Sequence, residues 1–358
     1  MNTRQPKLSA RRRFLGQLGG GAVAAAFGAG WTGAATGRAD ELRIPGFEQA
    51  KSYKADQPWK PVSDRKIRVG IVGYGVCRFG AQFGFQDHPN VQVAAVSDLD
   101  PECCAALAKA TRCEKTYPSL EELVKDDTIE AVFVATDAPS HARHCLEVLK
   151  HGKHAAVAVP AVFGDSLEAA DRLLEAVKTS GLTYMMFETS CFHADLYAMR
   201  QIYRAGGFGE IVYSEGEYYH YMATPIDSFR QWRVGLPPLW YPTHSMAYQI
   251  GVTGGAFTEV SCMGMNSIIP HLTPEGNAYK NPFGTEIALL RTSAGGMSRM
   301  TCSWDTPGLG GEKGRVRGQL GSMDGMDFQG LTKEFPSLSR PPLPPSVAVT
   351  APRSIDVP

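Results

Sequence analysis

Ile67-Arg68-Val69-Gly70-Ile71-Val72-Gly73-Tyr74-Gly75 is the stretch whose reading decides the fold. Its first part is a short apolar run of the buried-strand type. A Gly-x-Gly turn follows directly, then a helix-like stretch to about Gln86, then a second apolar run from Val91 to Val96 that ends in Ser97-Asp98. The alternation continues with expected helices at 101–111, 139–151 and 166–180, interleaved with expected strands at 131–135, 154–159 and 183–187. Strands separated by helices of this length imply parallel β-α-β units, hence an α/β doubly wound Rossmann sheet.

The rhythm changes after Cys191. A helix at 194–205 precedes strand-like runs at 210–221, 257–264, 284–292, 297–304 and 314–320, with little helix between them. Runs of strands imply a mostly antiparallel sheet, so a second, α+β domain is expected to begin here. Residues 40–65 are polar and punctuated by proline, and read as a linker. From Phe335 the chain is proline-rich and is expected to be extended or disordered. The expected organisation is a signal peptide at 1–39, a linker at 40–65, a Rossmann domain at 66–190, a substrate domain at 191–334 and a tail at 335–358.

The Gly-x-Gly turn carries chemistry because of where it sits. Between a buried strand and a helix, Gly73 permits a tight turn and Gly75 lets a pyrophosphate approach the backbone. Asp98, at the end of the next strand, can accept bonds from ribose hydroxyls. The third glycine of the fingerprint falls at Arg78, with Gly80 two residues later. Gly73, Tyr74, Gly75, Val76 and Asp98 are the candidate cofactor contacts. Asp98 would repel a 2′-phosphate and no arginine follows it, which favours NAD over NADP. The competing reading is a Rossmann-like domain that has lost its nucleotide.

Val69 to Gly75, Ala131-Val132-Phe133-Val134-Ala135-Thr136 with His141, Gly152-Lys153-His154 and Phe208-Gly209-Glu210-Ile211 together resemble the Gfo/Idh/MocA oxidoreductases over about residues 66 to 320. The resemblance implies a Rossmann domain followed by an open-faced sheet domain, bound NAD(P), a sugar-like substrate, cofactor contacts at Thr136 and His141, and a homo-oligomer formed through the open sheet face. It also implies a Glu-Lys-Pro motif with a catalytic lysine, where this chain has Ala158-Val159-Pro160. The implied Arg-Phe is Cys191-Phe192, and the implied Asp-x-x-x-His is Trp240-x-x-x-His244.

Val159-Pro160-Ala161, Met186-Phe187-Glu188, Gly216-Glu217-Tyr218-Tyr219-His220 and Tyr241-Pro242-Thr243-His244 are similar to the NAD-dependent glycoside hydrolase branch. That branch oxidises a sugar transiently and recycles its cofactor, and it has glutamate where Ala158 stands. The family continues into a helical segment at its end, whereas Pro345 to Pro358 has no helical period. This points to a truncated chain.

Hydride abstraction from an alcohol needs a base near the hydroxyl. Without the lysine, the candidates are His244, Tyr241, Tyr218 and His220. Tyr218 and His220 are two apart on a strand and share a face. Tyr241 and His244 fall in one short turn. A neutral His244 would be the better base at neutral pH, while a tyrosine near 10 would need lowering by a cation. Glu188, ending a strand, reads equally as a site acid or a capping acid. Trp232, Arg233, Trp240 and Tyr241 read equally as a sugar platform or as packing.

At the N-terminus, Arg11-Arg12-Arg13-Phe14-Leu15 precedes a weakly apolar, glycine- and alanine-rich run to about Ala35, the pattern of a twin-arginine signal peptide. The glycines interrupt that run too often for a membrane span of about 20 apolar residues. The chain is therefore expected to be periplasmic or otherwise exported by the twin-arginine route, off the membrane once the signal is removed. With 36 Lys+Arg against 36 Asp+Glu, no nucleic-acid partner is implied. The 8 cysteines form no C-x-x-C pair, so no metal is expected, and several of them fall in apolar patterns and read as buried thiols.

Three functional readings remain open at this point. One is an exported NAD(P)-dependent oxidoreductase acting on a carbohydrate hydroxyl. The second is a redox glycosidase or lyase with recycled cofactor. The third is an inactive nucleotide- or sugar-binding relative.

Overall fold

The structure, a computed structural model, describes residues 63–339 apart from Asp165 and Leu309. The signal, most of the linker and the tail from residue 340 lie outside the described residues. Strands β1 (Ile67–Val72), β2 (Val91–Ser97), β3 (Thr116–Tyr117), β4 (Ala131–Val134), β5 (His154–Val157) and β6 (Tyr184–Met186) pair in parallel in the order β3-β2-β1-β4-β5-β6. This is the doubly wound order. Its direction reverses at β1/β4, and ligands bind at the carboxyl ends of the strands on either side of that switch.

Successive residues of β1 and β4 point to opposite faces of the sheet. Val72, Val132 and Val134 pack in one core with Leu123 and Val148, while Ile71 and Phe133 pack in another with Val96 and Leu107. Both faces are covered, which is why these strands read as continuous apolar runs. The helices of this half are α1 (Phe79–Gln82), α2 (Pro101–Thr111), α3 (Leu120–Leu123), α4 (His141–Lys150) and α5 (Leu167–Ser180). α2 starts where Asp100 Oδ1 accepts from Glu102 N and Cys103 N, with Pro101 at its first position. It ends at Arg112, which adopts φ 58°.

The first helix is much shorter than the sequence suggests. It is a single turn, and Gly84 at φ 70° breaks it before a 3-10 turn at Phe85–Asp87. A left-handed glycine just after the cap residue Phe83 explains the stop.

The second sheet contains β7 (Ile211–Tyr219), β8 (Phe257–Asn266), β9 (Phe283–Thr292), β10 (Met297–Ser303), β11 (Gly311–Gly318), β12 (Gly321–Asp324), β13 (Asp327–Leu331) and β14 (Pro336–Ser339). Their order is β14-β13-β12-β11-β7-β10-β9-β8. All pairings are antiparallel except β7 with β10. One face carries α6 (Ala194–Arg204) and α7 (Thr243–Thr253). Two glycines bring α7 onto the strands: a Cβ on Gly216 would lie 1.8 Å from Ser245 O, and one on Gly314 would lie 2.1 Å from Tyr248 Cγ.

The sequence shows no sign of α7. The helix buries His244, Ser245, Ala247, Tyr248, Gln249, Gly251 and Val252, so it has no solvated face and no amphipathic period to read. The first residues of the tail are also ordered. Pro336–Ser339 pairs with β13 as an edge strand, where proline is tolerated. The cysteines are free: Cys104, Cys113, Cys145 and Cys302 are buried, and Cys262 is exposed on β8. Among the described residues no helix is long and apolar enough to cross a membrane.

Candidate active site

The turn after β1 has the expected geometry at two glycines and a substitute for the third. Gly73 adopts φ 102°, and a Cβ there would lie 2.4 Å from Ala135 O, so no other residue fits. A Cβ on Gly75 would have nothing within 4 Å, which leaves the space above the turn open. Gly80 does the work expected of a third glycine. Its added Cβ would meet Gly73 O at 2.6 Å and Leu107 and Ile71 at 3.0 and 3.2 Å, so it sets the close approach of α1 to the sheet.

Asp98 Oδ2 accepts from Tyr74 N at 2.7 Å and Oδ1 from Asp100 N at 2.9 Å. Each oxygen keeps a lone pair for a ribose hydroxyl. Val76 is 55% exposed beside the turn. The residues present therefore fit a dinucleotide.

Thr136 and His141 are differently placed. Thr136 Oγ1 lies 2.8 Å from His144 Nδ1. His141 is buried, with Nδ1 2.7 Å from Pro160 O and Nε2 3.0 Å from Thr136 O. Burial holds its pKa below the ordinary value, and the two backbone carbonyls take up both ring nitrogens. The ring shapes the wall behind Val159-Pro160 and offers a ligand no free nitrogen. Val159, where the resemblance implied a lysine, is 4% exposed and packs against Tyr241 and Trp304.

His244 lies in the first turn of α7 and is 5% exposed. Its Nδ1 donates to Glu188 Oε1 at 2.7 Å. Glu188 follows β6 and caps a 3-10 turn, where Oε1 also accepts from Ser190 N at 2.9 Å. Glu312 on β11 brings Oε1 to 3.4 Å from the same Nδ1. Its Oε2 takes the Ser190 hydroxyl and lies 3.5 Å from His193 Nε2. Glu188, His244 and Glu312 offer atoms within 4.8 Å of one another, a spacing a cation could bridge. The hydrogen bonds already account for the cluster.

Burial pushes the His244 pKa down, and Arg233 adds to that. The carboxylates, Glu188 first and Glu312 next, outweigh both and hold it above the ordinary histidine value. Burial likewise pushes Glu188 up, but the His244 charge and hydrogen bond bring it below the ordinary range. Both directions favour the ionic form of the pair. The sequence suggested a neutral imidazole, and the two carboxylates shift the balance away from it.

The other three candidates surround His244. The Tyr218 ring meets it edge-on at 4.5 Å, and the Tyr241 ring is 5.6 Å away. Tyr218 Oη donates to His220 Nδ1 at 3.1 Å, as expected for two residues on one face. Burial pushes Tyr218 well up and Tyr241 to about 12, so both are phenols rather than phenolates. Burial, then Arg233 and His244, lower His220 to about 4, which makes it a weak base.

Arg233 closes the set. It is 8% exposed, lies over the Trp232 ring at 4.5 Å and the Tyr241 ring at 5.7 Å, and donates to Cys77 Sγ at 3.3 Å. It thus joins the dinucleotide turn to the histidine cluster. Trp232 and Trp240 both pack against Phe163. Nothing in the sequence points to Glu312 at this site, because its partner Ser190 is 122 residues away.

The sequence model described as "Oxidoreductase family, NAD-binding Rossmann fold" (Gfo/Idh/MocA) matches residues 67–188. Residues 67–188 are a Gfo/Idh/MocA NAD-binding domain. A curated relative from Porphyromonas gingivalis, named a glycosyl hydrolase family 109 protein, is 29% identical over 165 residues. That match spans 43% of this chain and only 34%, about a third, of the relative.

Solved structures share the fold. An NAD-binding oxidoreductase from Klebsiella pneumoniae superposes with a TM-score of 0.65 at 19% identity, covering 77% of this chain and 80% of that one. Scyllo-inositol dehydrogenase from Lactobacillus casei, solved with NAD(H) and scyllo-inositol, superposes with a TM-score of 0.61 at 18% identity, covering 72% and 76%. The Gfo/Idh/MocA domain supplies the turn and Asp98, and Glu188 at its end reaches into the histidine cluster.

Proposed function

We propose that the chain is an exported NAD-dependent oxidoreductase acting on a hydroxyl of a sugar or polyol, with His244 moving the proton. The observation that carries this reading is a buried histidine–carboxylate pair connected to the dinucleotide turn through Tyr241 and the Arg233–Cys77 contact. Bound nicotinamide would supply hydride acceptance or donation. The chain's own residues orient and protonate. Glu188 fixes Nδ1 as the donor side of His244 and leaves Nε2 to exchange a proton with the ligand oxygen. Tyr241, a neutral phenol, is a hydrogen-bond donor for the sugar, Tyr218, whose hydrogen goes to His220, is an acceptor, and Trp232 and Trp240 are the apolar wall.

The proton requirement gives the pH dependence its sign. In oxidation the imidazole must accept a proton, so it must first lose its own. Because its pKa is raised, oxidation should increase as pH climbs through a value above 6.5, and reduction should decline over the same range. Initial rates in both directions between pH 5 and 9 check this. Parallel profiles would contradict it.

A second reading is favoured by the name of the Porphyromonas gingivalis relative: a glycoside-cleaving enzyme that recycles its cofactor. Net reduction of added NAD⁺ separates the two, because it accompanies simple oxidation and not cleavage with recycling.

The proposal extends to assembly and location. Ile287, Leu289, Met263 and Met297 share the face of the second sheet that α6 and α7 do not cover. They are 40%, 49%, 81% and 46% exposed. Glu215, Glu217 and Arg299 form ion pairs beside them. A second copy of the chain would cover this face, giving a homo-oligomer. Light scattering should give a mass of at least two chains, and Leu289→Asp with Met263→Asp should return it to one. An unmodified protein that is monomeric at all concentrations would refute the assembly. Export by the twin-arginine route is tested by replacing Arg11 and Arg12 with lysine. The precursor should then stay in the cytoplasm, and normal periplasmic arrival of that double variant would refute the route.

A further inference from the structure

We infer that Glu312 is a positioning residue that, together with Glu188, keeps His244 as an imidazolium at neutral pH, so that the site is set to give a proton to a carbonyl oxygen rather than to take one from an alcohol. This rests on the proposed oxidoreductase reading and specifies the direction that reading favours.

The geometry is a single ring nitrogen faced by two carboxylates. Nδ1 carries one hydrogen, and Glu188 Oε1 takes it at 2.7 Å. Glu312 Oε1, at 3.4 Å from the same nitrogen, therefore acts by its charge. Ser190 ties the two acids together, its N–H on Glu188 and its hydroxyl on Glu312, so their spacing is fixed by one residue. Glu312 stands opposite Tyr218 in the β11–β7 register, which puts it on the face that meets α7.

His220 is an internal comparison. It lies in the same cluster, less buried than His244 and with the same Arg233 nearby, but no carboxylate faces it, and its pKa drops to about 4. His244, with two carboxylates, moves the other way. The groups that face His244 are Glu188 and Thr189 after β6, Tyr218 on β7, Arg233 and Tyr241 before α7, and Glu312 on β11. His193 lies behind Glu312, against its other oxygen. One carboxylate would balance the imidazolium. The second offsets the burial and the guanidinium that oppose it.

The chemistry balances. Reduced nicotinamide, when bound, would supply hydride to the carbonyl carbon of a ketone or aldehyde on the sugar, while His244 Nε2 gives its proton to the oxygen. The C=O π bond breaks, C–H and O–H bonds form, and His244 is left neutral until solvent reprotonates it.

The test is a histidine-selective NMR titration of the whole protein alongside pH profiles of kcat/KM in both directions. The His244 signal is assigned by its loss in His244→Gln. Glu312→Gln should lower the His244 pKa by roughly 1 unit, the lower end of the range for an opposite charge within ~4–6 Å. The falling limb of carbonyl reduction should move down by the same amount, and Glu312→Asp should restore most of both. An unchanged His244 pKa in a folded Glu312→Gln protein would overturn the inference whatever the activity. If the pKa falls as expected but no sugar or polyol is turned over in either direction, the oxidoreductase reading fails and the two-carboxylate hold on His244 stands. If Glu312→Gln does not fold, Glu312→Asp decides instead: its longer gap to Nδ1 should lower the His244 pKa by a smaller, measurable step, and no step refutes the inference.

Discussion

His244→Ala is expected to lower turnover by about 10²–10⁴-fold, roughly 3–5 kcal/mol of barrier, while NADH affinity stays unchanged. The loss belongs in kcat as well as kcat/KM, because the proton moves only as the reaction proceeds. Removing the imidazole also leaves Glu188 and Glu312 facing each other without their cation, a buried arrangement that costs stability. His244→Gln keeps a hydrogen-bond donor near Glu188 and separates the two effects. It should fold and still lose the turnover. Near-normal turnover in either variant, or unfolding of both, would make the histidine a packing residue.

Gly75→Trp should abolish cofactor binding without disturbing the fold. A side chain at Gly75 meets nothing within 4 Å, so the indole is accommodated, but it fills the space above the turn where a pyrophosphate would lie. NADH affinity should fall by at least about 100-fold, near 3 kcal/mol, while the melting temperature stays within a few degrees. Gly73→Ala should fail in the opposite way. Its φ of 102° and the 2.4 Å approach to Ala135 O put the cost into the fold itself. NADH binding by Gly75→Trp at unmodified affinity would remove the turn from the cofactor site.

Sequence reading recovers the parts of this structure that local pattern encodes. The run from Ile67 to Gly75 and the alternation after it announce the parallel sheet, because strands covered on both faces are apolar throughout and their helices are amphipathic. Helix α2 was legible to the residue, since Asp100 and Pro101 mark its start. α7 was not, because it is buried on every side. The short β12 and β13 were missed as well, being too brief to show a period.

The site divides along the same line. His244, Tyr241, Tyr218 and His220 were found as residue types in a recognisable stretch, and the structure brings them together. What the histidine does depends on Glu188 and Glu312, which are 56 and 68 positions away in sequence and arrive by strand pairing and domain packing. No spacing rule reports a charge delivered from that distance. The structure therefore sets two carboxylates against the expected neutral base, and places His141 behind the wall of the cleft, with both ring nitrogens on backbone carbonyls.

The central claim is that the glycine turn holds a nicotinamide dinucleotide beside His244, and its most direct test is to denature the purified protein and identify the nucleotide released. NAD⁺ or NADH in a ratio approaching one per chain is the expected result. Where the protein is recovered without nucleotide, added NADH should bind, with its fluorescence quenched or enhanced to saturation, and Gly75→Trp should remove that signal. A folded protein that releases no dinucleotide and does not respond to NADH would contradict the account.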